Sequence, residues 1–141
     1  MATRSRIGLQ LADGAILSVY HHWDGYPQWL GVMLRENYST REKIAELIDG
    51  GDISCLASDT DWDRKECEPH VLYYNARGEN TEPRLDTNVD DYFADGEEYA
   101  YIFTLDHTWE CYEVSRDRDD DWNVIQTNAV PREIPTGEVT A

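Results

Sequence analysis

Residues 18–27 read SVYHHWDGYP, and this stretch holds the end of a strand, a tight turn and the start of a helix. Apolar residues alternate up to Val19, as in a half-buried strand, and Asp24-Gly25 is a frequent turn pair. Pro27 suits the first turn of a helix, where an amide proton would have no partner. The same ten residues contain two histidines, a tryptophan and an aspartate, so they also form a candidate functional site.

Two hairpins are predicted on either side of this stretch. Apolar residues alternate over 7–11 and again over 15–19, with turn-forming residues 12–14 between them. Residues 98–105 and 109–114 are rich in aromatic and β-branched side chains, which favour strands. The sequence therefore predicts an amino-terminal hairpin and a carboxy-terminal hairpin.

The helices are predicted between the hairpins. Apolar residues follow Pro27 at helical spacing, and Ser39-Thr-Arg-Glu42 fits a capping box that would start a second helix. Gly50-Gly51 supplies the left-handed stop of that helix. A short third helix is expected after Thr87, and residues 52–70 and 75–85 are interpreted mainly as loops.

Strands in adjacent pairs with helices mainly between them favour an α+β fold over a repeated βαβ pattern. We expect an antiparallel sheet built from the two hairpins, with two to three helices packed on one face. Residues 1–130 are expected to form a single α+β domain, and residues 131–141 a disordered tail.

The chain is strongly acidic, with 29 Asp and Glu against 12 Lys and Arg and a net charge of −17. This charge disfavours direct binding to nucleic acid or to an anionic membrane. Residues 86–121 alone carry 13 acidic and 2 basic groups, a net charge of −11. Acidic residues precede and follow the carboxy-terminal hairpin, whose antiparallel pairing should bring them to one end.

We therefore predict one negative, aromatic-rich patch that resembles the surface which a basic nucleic-acid-binding cleft receives. An acidic face that only keeps the protein soluble is the alternative. The candidate binding residues are Asp90, Asp91, Asp95, Glu97, Glu98, Asp117, Asp119, Asp120 and Asp121.

The turn after the second strand is the other candidate site, formed by His22, Trp23, Asp24 and Tyr26. Imidazole titrates near neutral pH, so His22 with Asp24 would suit general-base chemistry, and an aromatic neighbour would stack a base. In the alternative interpretation these side chains only stabilise the turn and cover the core edge. His21 lies next to His22 and would point to the opposite face of the strand.

No metal or other cofactor is expected. Cys55, Cys67 and His70 lack the paired spacing of a structural zinc site. Residues 59–63 begin like a calcium-binding EF-hand loop, but Arg64 stands where that loop requires glycine. An odd number of cysteines and the lack of a secretory or membrane-spanning segment predict a reduced, cytoplasmic protein.

Five short motifs resemble a family of short uncharacterised proteins encoded by tailed bacteriophages, including cyanophages. They are Ser5-Arg-Ile-Gly8, Asp13-Gly14, Ser18-Val-Tyr20, His22-Trp-Asp-Gly-Tyr-Pro27 and Leu47-Ile-Asp-Gly-Gly-Asp52. The resemblance covers about the first half of the chain and residues 69–74. That family has no established activity, so the resemblance implies expression in the cytoplasm of a bacterial host but assigns no functional residue.

These observations predict a non-enzymatic interaction protein. Its expected partner is a host nucleic-acid-handling or defence protein with a basic surface, engaged through the acidic patch. The first alternative is a small hydrolase or nucleotide-binding enzyme that uses His22 and Asp24. The second alternative is a minor component of the virion.

Overall fold

The structure is a computed structural model that describes residues 3–22, 25–56, 71–74, 78, 81–94 and 97–134. The described strands are β1 (Ser5–Gln10), β2 (Ile16–His21), β3 (Ile53–Leu56), β4 (Val71–Tyr73), β5 (Arg84–Asp86), β6 (Tyr99–Phe103), β7 (Trp109–Arg118) and β8 (Val124–Arg132). A π-helical turn, Pro27–Gly31, leads directly into the first helix. The described helices are α1 (Val32–Asn37), α2 (Arg41–Asp49) and α3 (Val89–Ala94). The fold is mixed α+β, which confirms the predicted class.

Within the described residues the strands form one sheet in the order β4-β3-β2-β1-β6-β7-β8, and β5 also pairs with β2. The pairs β1–β2, β6–β7 and β7–β8 are antiparallel. The pairs β1–β6 and β2–β3 are parallel. The expectation of a purely antiparallel sheet is therefore wrong. Long connections make this possible, because the helical segment after β2 returns the chain to the sheet in the parallel direction.

Both faces of the sheet are buried, and different helices cover them. Ile7 and Phe103 belong to the larger core cluster, which includes residues of α1 and α2. Ile16 and Ile102 belong to a second cluster with Tyr92 of α3. The helices thus lie on two faces, not on one as expected. The sequence of β6 explains this, because a strand that is apolar at every position needs cover on both sides.

A hydroxyl group fixes α3 to the second face. The Tyr92 hydroxyl donates to the carbonyl of Tyr101 at 2.8 Å and lies 3.2 Å from the carbonyl of Arg6. Arg6 itself is buried, and its guanidinium donates to both the hydroxyl and the carbonyl of Ser18. Polar groups on this face are therefore satisfied by the neighbouring strands.

The ends of several elements differ from the predictions. Thr40, one residue after the expected Ser39, caps α2, and its Oγ1 accepts from the Lys43 amide at 3.3 Å. β3 lies within segment 52–70 and β5 begins within segment 75–85, both of which were interpreted mainly as loops. β8 continues to Arg132, two residues into the expected tail, while residues 135–141 lie outside the described part of the chain. No helix of the described residues is long and apolar enough to cross a membrane.

Candidate protein-binding surface

β7 and β8 extend past β6 as a two-stranded arm, residues 115–128, whose tip is the turn at residues 119–123. The amide of Val114 donates to the carbonyl of Glu98 at 2.8 Å, at the end of the pairing with β6. Beyond this point β7 continues its pairing with β8. Because a strand rises about 3.3 Å per residue, Asp119 lies about 17 Å further along the arm.

The backbone of the tip is organised by Asp119. Its Oδ1 accepts from the amides of Asp121 and Asn123, each at 2.9 Å. Its main chain exchanges two further hydrogen bonds of 3.0 Å, from the Trp122 amide and to the Asn123 carbonyl. Arg118 closes the turn by donating from Nη1 to the Trp122 carbonyl at 2.9 Å. Asp119 therefore has a structural role in addition to its charge.

Trp122 projects from the tip and is 76% exposed, the highest value among the large apolar side chains of the described residues. Its φ of +66° lies in the left-handed region, which is unusual for a bulky residue and costs about 1 kcal/mol or more. Val124 and Ile125, the first two residues of β8, are also exposed. Strained backbone positions cluster at functional sites, and tryptophan is enriched among the residues that dominate interfaces.

The predicted acidic residues fall into two clusters. The base cluster consists of Asp90 and Asp91 in the first turn of α3, with Glu97 and Glu98 just before β6. The tip cluster lies on the arm and consists of Asp117, Asp119, Asp120 and Asp121. Asp95 lies outside the described residues. Glu97 is half-buried and the other members of both clusters are exposed.

Arg116 on the arm forms hydrogen bonds to the end of α3. Its Nη2 donates to the carbonyls of Phe93 and Ala94 at 3.2 and 3.0 Å, and its Nε donates to Ala94 at 3.2 Å. These carbonyls end α3, where a cation is also favoured by the helix dipole. The helix that carries the base cluster is thus fixed to the arm that carries the tip cluster.

Within these clusters, Glu98 and Asp119 are well separated. The amide of Val114 bonds to Glu98, and Asp119 lies about 17 Å further along β7. This distance exceeds the Debye length of about 8 Å at physiological ionic strength, so these two carboxylates interact only weakly at that salt.

Some of these carboxylates hold the fold together. Asp91 Oδ2 accepts from Thr87 and Asn88 at the start of α3, and Asp117 Oδ2 accepts from Asn128 across the arm at 3.2 Å. The carboxylates of Asp90, Glu98, Asp120 and Asp121 are exposed and accept no hydrogen bond from other described residues. These four are the acidic groups best placed to meet a partner.

His22 and Tyr26 are the residues of the turn site that the structure describes. A hydrogen bond of 2.6 Å joins Nδ1 of His22 to the Tyr20 hydroxyl. The ring of Tyr74 lies 6.5 Å from the rings of both residues. Burial raises the pKa of Tyr20 to about 12, so the phenol stays protonated at neutral pH. Trp23 and Asp24 lie outside the described residues, and the Tyr26 carbonyl accepts from the Leu30 amide at the start of the π-helical turn.

His21 lies on the opposite face of β2 from His22 and is fully buried. Its Nδ1 is 3.4 Å from Oγ of Ser5, and its Nε2 has no hydrogen-bond partner within the described part of the chain. Burial, and to a smaller extent His22, lowers the pKa of His21 to about 3. His21 is therefore neutral at physiological pH and belongs to the core.

The residues that were considered as metal ligands are mostly outside the described part of the chain. These are Cys67, His70 and residues 59–63. Within the described residues no three His, Cys, Asp or Glu side chains are grouped to hold a metal ion. Cys111 is buried, and burial raises the pKa of its thiol to about 11, so the nucleophilic thiolate is scarce at neutral pH.

The tip presents an indole ring, carboxylates and an amide on a turn whose backbone is held by Asp119. This combination supplies apolar contact area and negative charge at one place on the surface. Comparison with family models, with curated proteins and with solved structures finds no match to the chain.

Proposed function

We propose that this protein is a non-enzymatic interaction protein that binds a basic protein surface through its arm. Trp122 is the apolar anchor, and Asp120 and Asp121 beside it supply the complementary charge. The observation that carries the proposal is the 76% exposed indole at a left-handed position of a well-bonded turn. Tryptophan residues at the centre of an interface contribute more binding energy than most other residues.

The partner in this proposal is a nucleic-acid-handling or defence protein of a bacterial host. A cleft that binds phosphates is basic and is therefore attracted to clustered carboxylates. The net charge of −17 would steer the encounter and raise the association rate. The motifs that resemble tailed-bacteriophage proteins support a host protein as the partner.

Affinity capture from a bacterial lysate with three forms of the protein tests this proposal. The neutralised variant carries Asp90→Asn, Glu98→Gln, Asp120→Asn and Asp121→Asn. The matched control carries Glu36→Gln, Glu46→Gln, Asp49→Asn and Glu82→Gln, which remove the same charge from other exposed sites.

We expect the wild type and the matched control to capture the same basic protein at low salt, because both retain the carboxylates of the base cluster and of the tip cluster. The neutralised variant should lose it, and high salt should release it from the wild type. Capture by the neutralised variant equal to that by the wild type would refute the proposal. A lack of any salt-sensitive protein partner would refute it as well.

A second candidate function, hydrolysis or nucleotide binding at the end of β2, is favoured by the short hydrogen bond between Tyr20 and His22. On this hypothesis His22→Ala would abolish turnover or binding of a nucleotide, and the neutralised variant would keep it. Assays of hydrolysis and binding with nucleoside triphosphates and phosphodiesters, on the wild type and on His22→Ala, test this hypothesis. Activity that is unchanged in His22→Ala would exclude this site.

A further inference from the structure

A cleft of about 670 Å³ opens at the edge of the sheet where β8 leaves β7. Its floor includes Phe103 and Trp109, whose rings meet edge to face with centroids 5.2 Å apart, and the buried Cys111. Arg35 of α1 and residues 131–134 form its walls. Sites for small organic ligands generally have volumes of about 300–1,000 Å³ and mostly apolar linings.

Two guanidinium groups line this cleft. Arg35 donates from Nη1 to the carbonyl of Ile134 at 3.2 Å, and Arg132 donates from Nε to Glu113 at 2.9 Å. These bonds use one nitrogen of each guanidinium, and the remaining N–H groups donate to no other described residue. Guanidinium groups bind carboxylates and phosphates through paired N–H donors. Glu110 and Glu133 also line the cleft, and Arg132 forms an ion pair with Glu113. Arg35 is therefore the guanidinium of the cleft that pairs with no carboxylate of the described residues.

His107 adds an aromatic ring at the rim. Its φ of +63° lies in the left-handed region, and its ring centroid is 5.8 Å from that of Phe103. The turn that holds it is fixed by a 2.9 Å hydrogen bond between the hydroxyls of Thr104 and Thr108. Non-glycine residues with strained backbone cluster at functional sites. They persist only where the surrounding structure holds them in that conformation.

We propose that this cleft binds a small organic anion that carries a planar aromatic ring. The ring packs against Trp109 and His107, and Arg35 and Arg132 bind the anionic group. A nucleoside monophosphate and an aromatic carboxylic acid share this chemistry. The site goes beyond the proposed function, because Trp109 and Asp119 stand ten residues apart on β7 and its turn, about 33 Å along an extended strand.

Isothermal titration calorimetry with two pairs of probes tests the site. Adenosine 5′-monophosphate is compared with uncharged adenosine, and indole-3-acetate with uncharged indole-3-acetamide. We expect one of the two anions to bind about tenfold or more tightly than its uncharged counterpart, because hydrogen bonds to charged groups are the strong ones. The anion that binds shows whether the ligand is a nucleotide or an aromatic carboxylic acid.

Variants locate the binding in this cleft. Arg35→Gln should weaken binding of the preferred anion about tenfold or more, and Arg132→Gln should act in the same direction. His107→Gly should weaken binding while its melting temperature stays equal or rises, because glycine relieves the left-handed backbone. Arg4→Gln removes an exposed charge elsewhere and should leave the affinity unchanged.

Three results would overturn the proposal. They are the lack of saturable binding by either anion, equal affinity for charged and uncharged probes, and anion affinity that is unchanged in both folded arginine variants. Melting temperatures of all variants establish that each is folded. None of these results bears on the arm, because partner capture by the arm is measured separately.

Discussion

Trp122→Gly is expected to weaken partner binding by about 30-fold or more, the effect of losing about 2 kcal/mol at an interface anchor. The fold should keep its stability or gain up to about 1 kcal/mol, because glycine adopts the left-handed conformation without strain. Arg118 and Asp119 bond to the backbone of residue 122, so the turn persists without the indole. Binding is measured by surface plasmon resonance with the captured partner, and stability by thermal denaturation.

A matched control separates loss of the anchor from loss of exposed apolar area in general. Leu85 on β5 is 59% exposed, and Leu85→Ala should leave partner affinity unchanged. Trp122→Asn provides a second test, since asparagine also tolerates the left-handed region. Full affinity in both Trp122 variants would show that the indole is not the anchor. A clear fall in melting temperature would show that Trp122 instead stabilises the fold.

The stability of the protein is expected to fall in acid because of His21. Its pKa of about 3 in the folded state is below the unfolded value of about 6.5, so the fold favours the neutral ring. The stabilisation is complete above pH 6.5 and is lost as the pH falls from 6.5 towards 3. Each pH unit in this window costs about 1.4 kcal/mol, which gives about 2–3 kcal/mol between pH 6.5 and 4.5.

Urea unfolding of the wild type and of His21→Phe at several pH values isolates this effect. Carboxylate protonation also changes stability in so acidic a chain, but it contributes equally to both proteins and cancels in their difference. The difference should change in favour of the variant by about 2–3 kcal/mol on going from pH 6.5 to 4.5. If His21→Phe does not fold, His21→Leu replaces it. Parallel pH profiles would contradict the buried neutral histidine.

Elements with a local signal were predictable from the sequence. The apolar spacing of Ile44, Leu47 and Ile48 and the glycines at 50–51 predict α2, and all three side chains are buried. The choice of Thr40 over Ser39 as its cap was not predictable, because both carry a hydroxyl. The extended backbone of Thr40, with φ −122° and ψ 149°, decides between them.

Elements that depend on distant partners were not predictable. β3 has four residues and pairs with β2 and β4, and β5 has three residues and pairs with β2. Strand preference over so few residues is weaker than the effect of the pairing partner. The same limit explains the parallel pairs, which depend on where the chain returns to the sheet.

Some contacts within the candidate sites were also predictable from the sequence. Tyr20 and His22 are two residues apart on a strand, which places them on one face, but the contact with Tyr74 depends on the order of the strands. The run of aspartates before Trp122 is typical of a turn. Trp122 is exposed at the end of an arm because β7 and β8 are longer than β6. The local sequence around Trp122 does not predict this difference in strand length.

The association rate of the captured partner, measured as a function of salt, tests the central claim most directly. Wild type, neutralised variant and matched control are compared by stopped-flow kinetics. If the arm and base carboxylates steer the partner, the neutralised variant should associate more slowly at low salt and its salt dependence should be flatter. The matched control should stay closer to the wild type, because charge near the contact dominates the encounter. Equal rates and equal salt slopes for the neutralised variant and the wild type would contradict the claim.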